Sequence, residues 1–155
     1  MLKKILVIVV IVLAVAFVVS QFFHPDFTNP PENSGDTLEA STQVPPGVEA
    51  IITRSCIDCH SYRTSYPWYS QIAPSSWLLS DHIHEGRQEM NLSVWNTYDT
   101  RKKVRKLGAI CDQVSKGDMP LPSYLWIHWN ARLKEGEAKT LCDWTDVEIN
   151  RLQPE

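Results

Sequence analysis

The chain has 155 residues, 43% of them hydrophobic and 21% charged, which is enough for one globular domain. Its formal charge is −3, and from His24 onward 13 basic residues face 18 acidic ones, which argues against a nucleic-acid partner, since that would call for a basic patch. Ten prolines and six tryptophans point to short helices and ordered loops rather than to a sheet-rich core.

The stretch "MLKKILVIVVIVLAVAFVVSQFF" opens with Lys3 and Lys4 and continues with fifteen apolar residues from Ile5 to Val19. As a helix, residues 5–23 reach roughly 28 Å, close to the thickness of a hydrocarbon core. The expectation for residues 1–23 is therefore a membrane anchor with its lysines in the cytoplasm, giving a single-pass inner-membrane protein. Its remaining domain would then lie in the periplasm or otherwise outside the cytoplasm. A cleaved signal peptide is the alternative, since Ala14-Val15-Ala16 has a small-x-small pattern. Cleavage there would leave a run of apolar residues at the new N-terminus. Residues 24–46 contain Pro25, Pro30, Pro31, Pro45 and Pro46, show neither helical nor strand period, and read as an extended tether.

Residues 47–155 form the expected domain. In 47–56, Val48, Ile51, Ile52 and Ser55 fall on one helical face. A second helix is expected over 73–88, with Ser75 or Ser76 as its cap and Gly86 near its end. A third, over 100–117, aligns Val104, Leu107, Cys111 and Val114 and stops at Gly117, with "RKKVRK" (101–106) as a solvated face. The last, over 137–152, aligns Ala138, Leu141, Cys142, Thr145, Ile149 and Leu152. No alternating strand pattern occurs, so the fold class is all-α.

The chemistry concentrates in "RSCIDCH", which orders Cys56, Cys59 and His60 as Cys-x-x-Cys-His. Three readings are open. A redox dithiol calls for a strand before the motif and a βαβ unit around it, and neither is evident. A zinc site needs a second close pair of ligands, whereas Cys111 and Cys142 stand 31 residues apart. Covalent haem attachment fits best. Two thiols spaced by two residues reach the two vinyl groups of one porphyrin, and the next residue places an imidazole at the iron.

The combination of Cys56-x-x-Cys59-His60, Pro67-Trp68-Tyr69, Ile72-Ala73-Pro74, Gly86-Arg87 and Met119-Pro120 resembles the bacterial haem-binding domain family of small, membrane-anchored c-type cytochromes. The likeness covers most of residues 45–145. It implies covalent haem binding (haem c) and an electron-transfer role with redox partner proteins of unspecified identity. The chain departs from the expected pattern at Cys111 and Cys142, where aliphatic residues would be usual. It departs again at the start of the last helix, which lacks a Ser or Asp cap.

His60 is the expected proximal iron ligand. For the distal position Met119 is favoured, because Pro120 fixes its loop, with His82 and His128 as alternatives, while His84 and Met90 are read as a solvent-facing residue and a packing residue. Trp68, Tyr69, Trp77, Tyr124 and Trp126 are candidates for the haem pocket, and Arg87 or Arg63 for a propionate partner. Cys111 and Cys142, on apolar helix faces of an exported domain, are a possible disulfide. The expected whole is a small cytochrome c-like helical domain around one covalent haem, preceded by a single transmembrane helix. It carries electrons and is no enzyme. A peroxidase-like enzyme using His82 or His128 as acid-base group, or a small-ligand sensor with an open sixth site, is the rival reading.

Overall fold

The computed structural model describes residues 1–153, so residues 154–155 of the expected domain lie outside the described residues. Among the described residues there are seven helices and four short 3₁₀ segments, and no strand. Helix α1 (Leu2–Ser20) has a mean hydropathy of 2.9 and buries none of its residues against the rest of the protein. It is long and apolar enough to cross a membrane.

Residues 24–46 are not a free tether. Asn29 Nδ2 donates to Thr64 O at 2.9 Å, and Asn96 N donates to Asp36 O at 2.8 Å. The Glu32 carboxylate accepts from Ser93 Oγ and lies 3.5 Å from Arg63 Nε. Leu38, in the single turn α2 (Leu38–Ser41), is 1% exposed. The prolines keep this stretch extended, while its Asn and Glu side chains, the Asp36 carbonyl and Leu38 strap it onto the domain. Sequence periodicity is blind to such a segment, because its contacts are made one residue at a time.

The core is assembled from α3 (Pro46–Ser55), α6 (Thr100–Lys116), α7 (Glu137–Leu152) and the 3₁₀ segment Leu92–Thr97. Helix α3 starts with proline in its first turn, where a missing N–H costs nothing, and it buries Val48, Ile51, Ile52 and Ser55, the face its spacing indicates. Asp99 caps α6 by accepting from Lys102 N at 2.7 Å, and Gly117 ends it in the left-handed region at φ 76°. Leu107 of α6, Leu141 and Trp144 of α7, and Trp95 and Leu92 meet the α3 face. Helix α7 also buries Glu148, which sits on the apolar side and accepts from Arg151 Nε at 2.7 Å. Cys111 of α6 and Cys142 of α7 form a disulfide with their Cα atoms 4.7 Å apart.

The single turn α4 (Ile57–His60) follows α3 with only Cys56 between them, and it packs on α5 (Ser75–Glu89). Helix α5 lacks the serine cap that its sequence suggests. Pro74 occupies the cap position, and Ser75 Oγ donates backwards to Ile72 O at 2.6 Å and Tyr69 O at 2.9 Å.

Candidate functional site

The Cys56–His60 segment is fixed by its own backbone. Cys56 N donates to Ile52 O at 2.9 Å, which closes α3, and Cys56 O accepts from His60 N at 3.0 Å, which closes the turn of α4. Ser61 then turns the chain out, with its Oγ donating to Ile57 O at 2.8 Å and accepting from Arg63 N at 2.9 Å. Cys56 and Cys59 are therefore presented from one rigid turn, and both are free thiols.

They border a cavity in two lobes. The larger, about 340 Å³, is lined by Cys56, by Ala109, Ile110, Gln113 and Val114 of α6, and by Met90 and Leu133. The smaller, about 150 Å³, is lined by Cys59, Asp58, His82, Gly86, Leu121 and Tyr124. Ser55, His60, Glu89, Met119 and Pro120 line both lobes. His60 and Met119 thus border a space of the size and apolar character of a cofactor site, with one cysteine on each lobe.

The His60 ring has a defined tautomer. Its Nδ1 lies 2.8 Å from Gly86 O and 3.0 Å from Met90 O. Both neighbours are carbonyls, so Nδ1 carries the proton and donates, and Nε2 keeps its lone pair. This is the arrangement that orients a metal-binding imidazole. Gly86 makes it possible. A Cβ there would fall 2.7 Å from Cys59 O, so only glycine lets α5 approach α4 closely enough for its carbonyl to reach the ring.

Burial pushes the Cys56 thiol up to about 12, with the neighbouring Cys59 adding to the shift and Arg54 opposing it. Burial likewise pushes Cys59 up to about 11, reinforced by Asp58. Both are neutral thiols at pH 7, whereas a redox dithiol needs a stabilised thiolate. A zinc centre also lacks its donors. The second cysteine pair is consumed in the disulfide, and no group of three or more His, Cys, Asp or Glu that could hold a metal ion occurs among the described residues.

The other candidate residues divide. Tyr124 borders the smaller lobe and donates through its hydroxyl to Asp58 Oδ2 at 2.8 Å; burial and that carboxylate push its phenol up. His82 reaches the smaller lobe and also a side cleft of about 210 Å³. His128 lines that cleft but neither lobe. It stacks on Tyr124 with ring centroids 4.2 Å apart, and its Nε2 is taken by the Tyr69 hydroxyl. Tyr69 and Trp68 also border the cleft rather than the lobes. Trp77 and Trp126 line neither lobe: Trp77 Nε1 donates to Phe23 O at 2.7 Å, and Trp126 is 84% exposed. Arg87 is spent on the fold, donating to Ser61 O, Asn29 Oδ1 and Thr64 Oγ1, and Arg63 pairs with Glu32 and Glu39. His84 points to Gln88, 2.7 Å away. The tryptophans are expected at the pocket because large apolar rings need large apolar partners, yet no tryptophan lines either lobe: Ala109, Ile110, Val114, Leu133 and Met90 wall the larger one, and Tyr124 is the aromatic ring at the smaller.

Three positions at the cavity owe their part to contacts that a sequence does not display. Gly86 stands near a helix end and in the Gly86-Arg87 pair, but its close approach to Cys59 shows only in the structure. Ser55 appears as part of an apolar face, but its Oγ is buried without a hydrogen-bond partner and its residue lines both lobes. Lys106 lies in the basic run, yet its side chain is only 14% exposed, pairs with Glu89 at 3.3 Å and lines the larger lobe. The signal was present. Lys106, Ala109, Ile110, Gln113 and Val114 recur at i, i+3, i+4, i+7 and i+8, a second stripe beside the one that faces the core.

A family model described as the haem-binding domain matches residues 15–147. No curated protein and no solved structure matches the chain. The site suits the group that this description names. It offers aliphatic walls for a flat apolar ring, an imidazole nitrogen held with its lone pair free, an unpartnered hydroxyl at Ser55, and a lysine for a carboxylate. With a match that runs over most of its length, the chain belongs to the haem-binding domain family, and it binds haem.

Proposed function

We propose that haem is attached covalently through Cys56 and Cys59 and that the protein is a membrane-anchored monohaem c-type cytochrome working outside the cytoplasm. The observation that carries this reading is the pair of neutral thiols, one on each lobe, presented from the same turn as a histidine whose Nδ1 is held by two carbonyls. Bound haem would supply an iron that gains and loses one electron. His60 would hold that iron through Nε2, and the Gly86 and Met90 carbonyls would keep the ring oriented. Met119, lining both lobes in a loop stiffened by Pro120, would furnish the second axial ligand. Lys106, and not Arg87 or Arg63, would meet a propionate. Met90, Ile110, Val114 and Leu133 would keep water from the ring.

No residue of the chain need donate or accept a proton for this role, so the protein is proposed as an electron carrier and not an enzyme, serving redox partner proteins. Two further features support the location. Helix α1 is a candidate membrane span with Lys3 and Lys4 in its first turn, and the Cys111–Cys142 disulfide is a bond that persists in oxidising compartments.

The test is spectroscopic. Denatured protein should keep its haem, its mass should exceed that of the polypeptide by one haem, and the pyridine haemochrome should be of c type. Ferric protein should show the weak far-red band of a sulfur-to-iron bond. Met119→Ala should remove that band, admit carbon monoxide or azide, and raise peroxidase activity. Retention of the band would move the ligand to Met90, the other methionine at the cavity, and a low-spin ferric protein that never shows the band would move it to His82, which shares the smaller lobe. Haem released by denaturation would overturn the covalent reading.

A further inference from the structure

The domain exposes large apolar side chains beside the end of α1. Trp68 is 77% exposed, Leu78 56% and Ile127 63%, and these three line the side cleft. No Asp, Glu, Lys or Arg is among that cleft's lining residues. Ile72 and Trp77, also exposed, flank it in sequence. A contiguous apolar surface of this kind marks a place of contact with another phase or molecule.

The end of α1 is clamped to the same face. Gln21 reads both sides of one residue: its Nε2 donates to Ala73 O at 3.2 Å, and its Oε1 accepts from Ala73 N at 3.1 Å. Two residues on, Phe23 O accepts from Trp77 Nε1 at 2.7 Å. As a helix, α1 measures roughly 28 Å, the thickness of a hydrocarbon core, so the residues held by Gln21 and Phe23 fall at headgroup depth. Tryptophans, with an apolar body and a satisfied N–H, concentrate at that depth.

We propose that the face carrying Trp68, Ile72, Trp77, Leu78 and Ile127 rests in the interfacial layer of the bilayer that α1 crosses. The haem domain is then seated on the lipid with a fixed orientation. The inference rests on the reading of α1 as an uncleaved anchor. It goes beyond it, because an anchor with a free tether would leave this face in water.

The experiment uses the full-length haem-loaded protein in phosphatidylcholine–phosphatidylglycerol nanodiscs containing a phospholipid with a diazirine near the top of its acyl chain. Photolysis followed by peptide mass spectrometry should place lipid adducts in residues 1–23, in residues 66–80 and around Ile127. The double variant Trp68→Ser/Leu78→Glu, with unchanged helix content and covalent haem, should lose the adducts of 66–80 and keep those of 1–23. Adducts confined to 1–23 would overturn the seating and leave the anchor standing. Absence of adducts from 1–23 would overturn the anchor itself. Cross-links joining two copies through residues 66–80 after a parallel treatment with a bifunctional amine- and carboxyl-independent photo-cross-linker, without lipid adducts there, would assign the face to a second copy and overturn the proposal.

Discussion

The two cysteine pairs of this chain have opposite fates. Cys111 and Cys142 are 31 residues apart, on neighbouring helices, and are joined. Cys56 and Cys59 are three residues apart, on one turn, and are free. Closeness in sequence does not decide the matter. The α6–α7 packing brings two backbones to a Cα separation of 4.7 Å, within the range a disulfide spans. The turn of α4 instead sets Cys56 against one lobe of the cavity and Cys59 against the other. One pair closes the structure; the other opens onto the cavity that is proposed to hold the haem.

The largest effect should come from the free pair. Cys56→Ala/Cys59→Ala should abolish covalent haem completely, as read by haem staining of denaturing gels, while Cys111→Ala/Cys142→Ala should retain it. A stained band from the first variant would erase the contrast between the pairs. The bonded pair should show its effect in stability instead. Removing that bridge should lower the unfolding free energy by about 2–4 kcal/mol in denaturant titrations, mainly because the unfolded chain is freed. An unchanged midpoint would mean that α6 and α7 are held by Leu107, Leu141 and their neighbours alone.

A third variant probes how tightly the open region is built. Gly86→Ala would set a methyl 2.7 Å from a backbone carbonyl that cannot swing away. The expected cost is about 1–3 kcal/mol, the usual range for overpacking. The change should also alter the electronic spectrum of the bound haem, since it displaces the carbonyl that orients His60. Gly108→Ala, on the α6 surface where a Cβ would meet nothing within 4 Å, should be neutral or slightly stabilising.

The same contrast shows what a sequence makes legible. Helices α3, α6 and α7 declare themselves because one face of each is buried along its length, and periodicity records that. The Cys-x-x-Cys-His motif is readable because its chemistry is local to one turn. The walls of the cavity are not, since they come from α5, α6 and the Met119 loop, and one of them is a glycine whose value lies in what it lacks. Lys106 is hidden by composition, as one of five basic residues in a run that includes the exposed Arg101 and Arg105. The strap over 24–46 was hidden by its prolines, which signal an irregular backbone but not what that backbone touches.

The smallest effect concerns the link between the two regions. Arg54, in the last turn of α3 just before Cys56, forms an ion pair with Glu137 in the first turn of α7. Burial pushes the Glu137 carboxyl up. The hydrogen bonds from Arg54 and from Lys134 N, together with the Arg54 charge, outweigh that and hold it below the usual carboxylate range. A carboxylate depressed in the folded state contributes stability that is present above its unfolded pKa, about 4.3, and is lost as pH falls through the lower folded value. Arg54→Met keeps the aliphatic stem, and Glu137→Gln keeps an acceptor for Lys134 N. A double-mutant cycle with these two should give a coupling of about 1 kcal/mol at pH 7. The coupling should fade on acidification below about pH 4. Coupling that persists at low pH would make the contact steric rather than ionic. Coupling of zero at pH 7 would leave the disulfide-linked helices α6 and α7 and the Cys56–His60 turn joined only through the shared apolar face of α3.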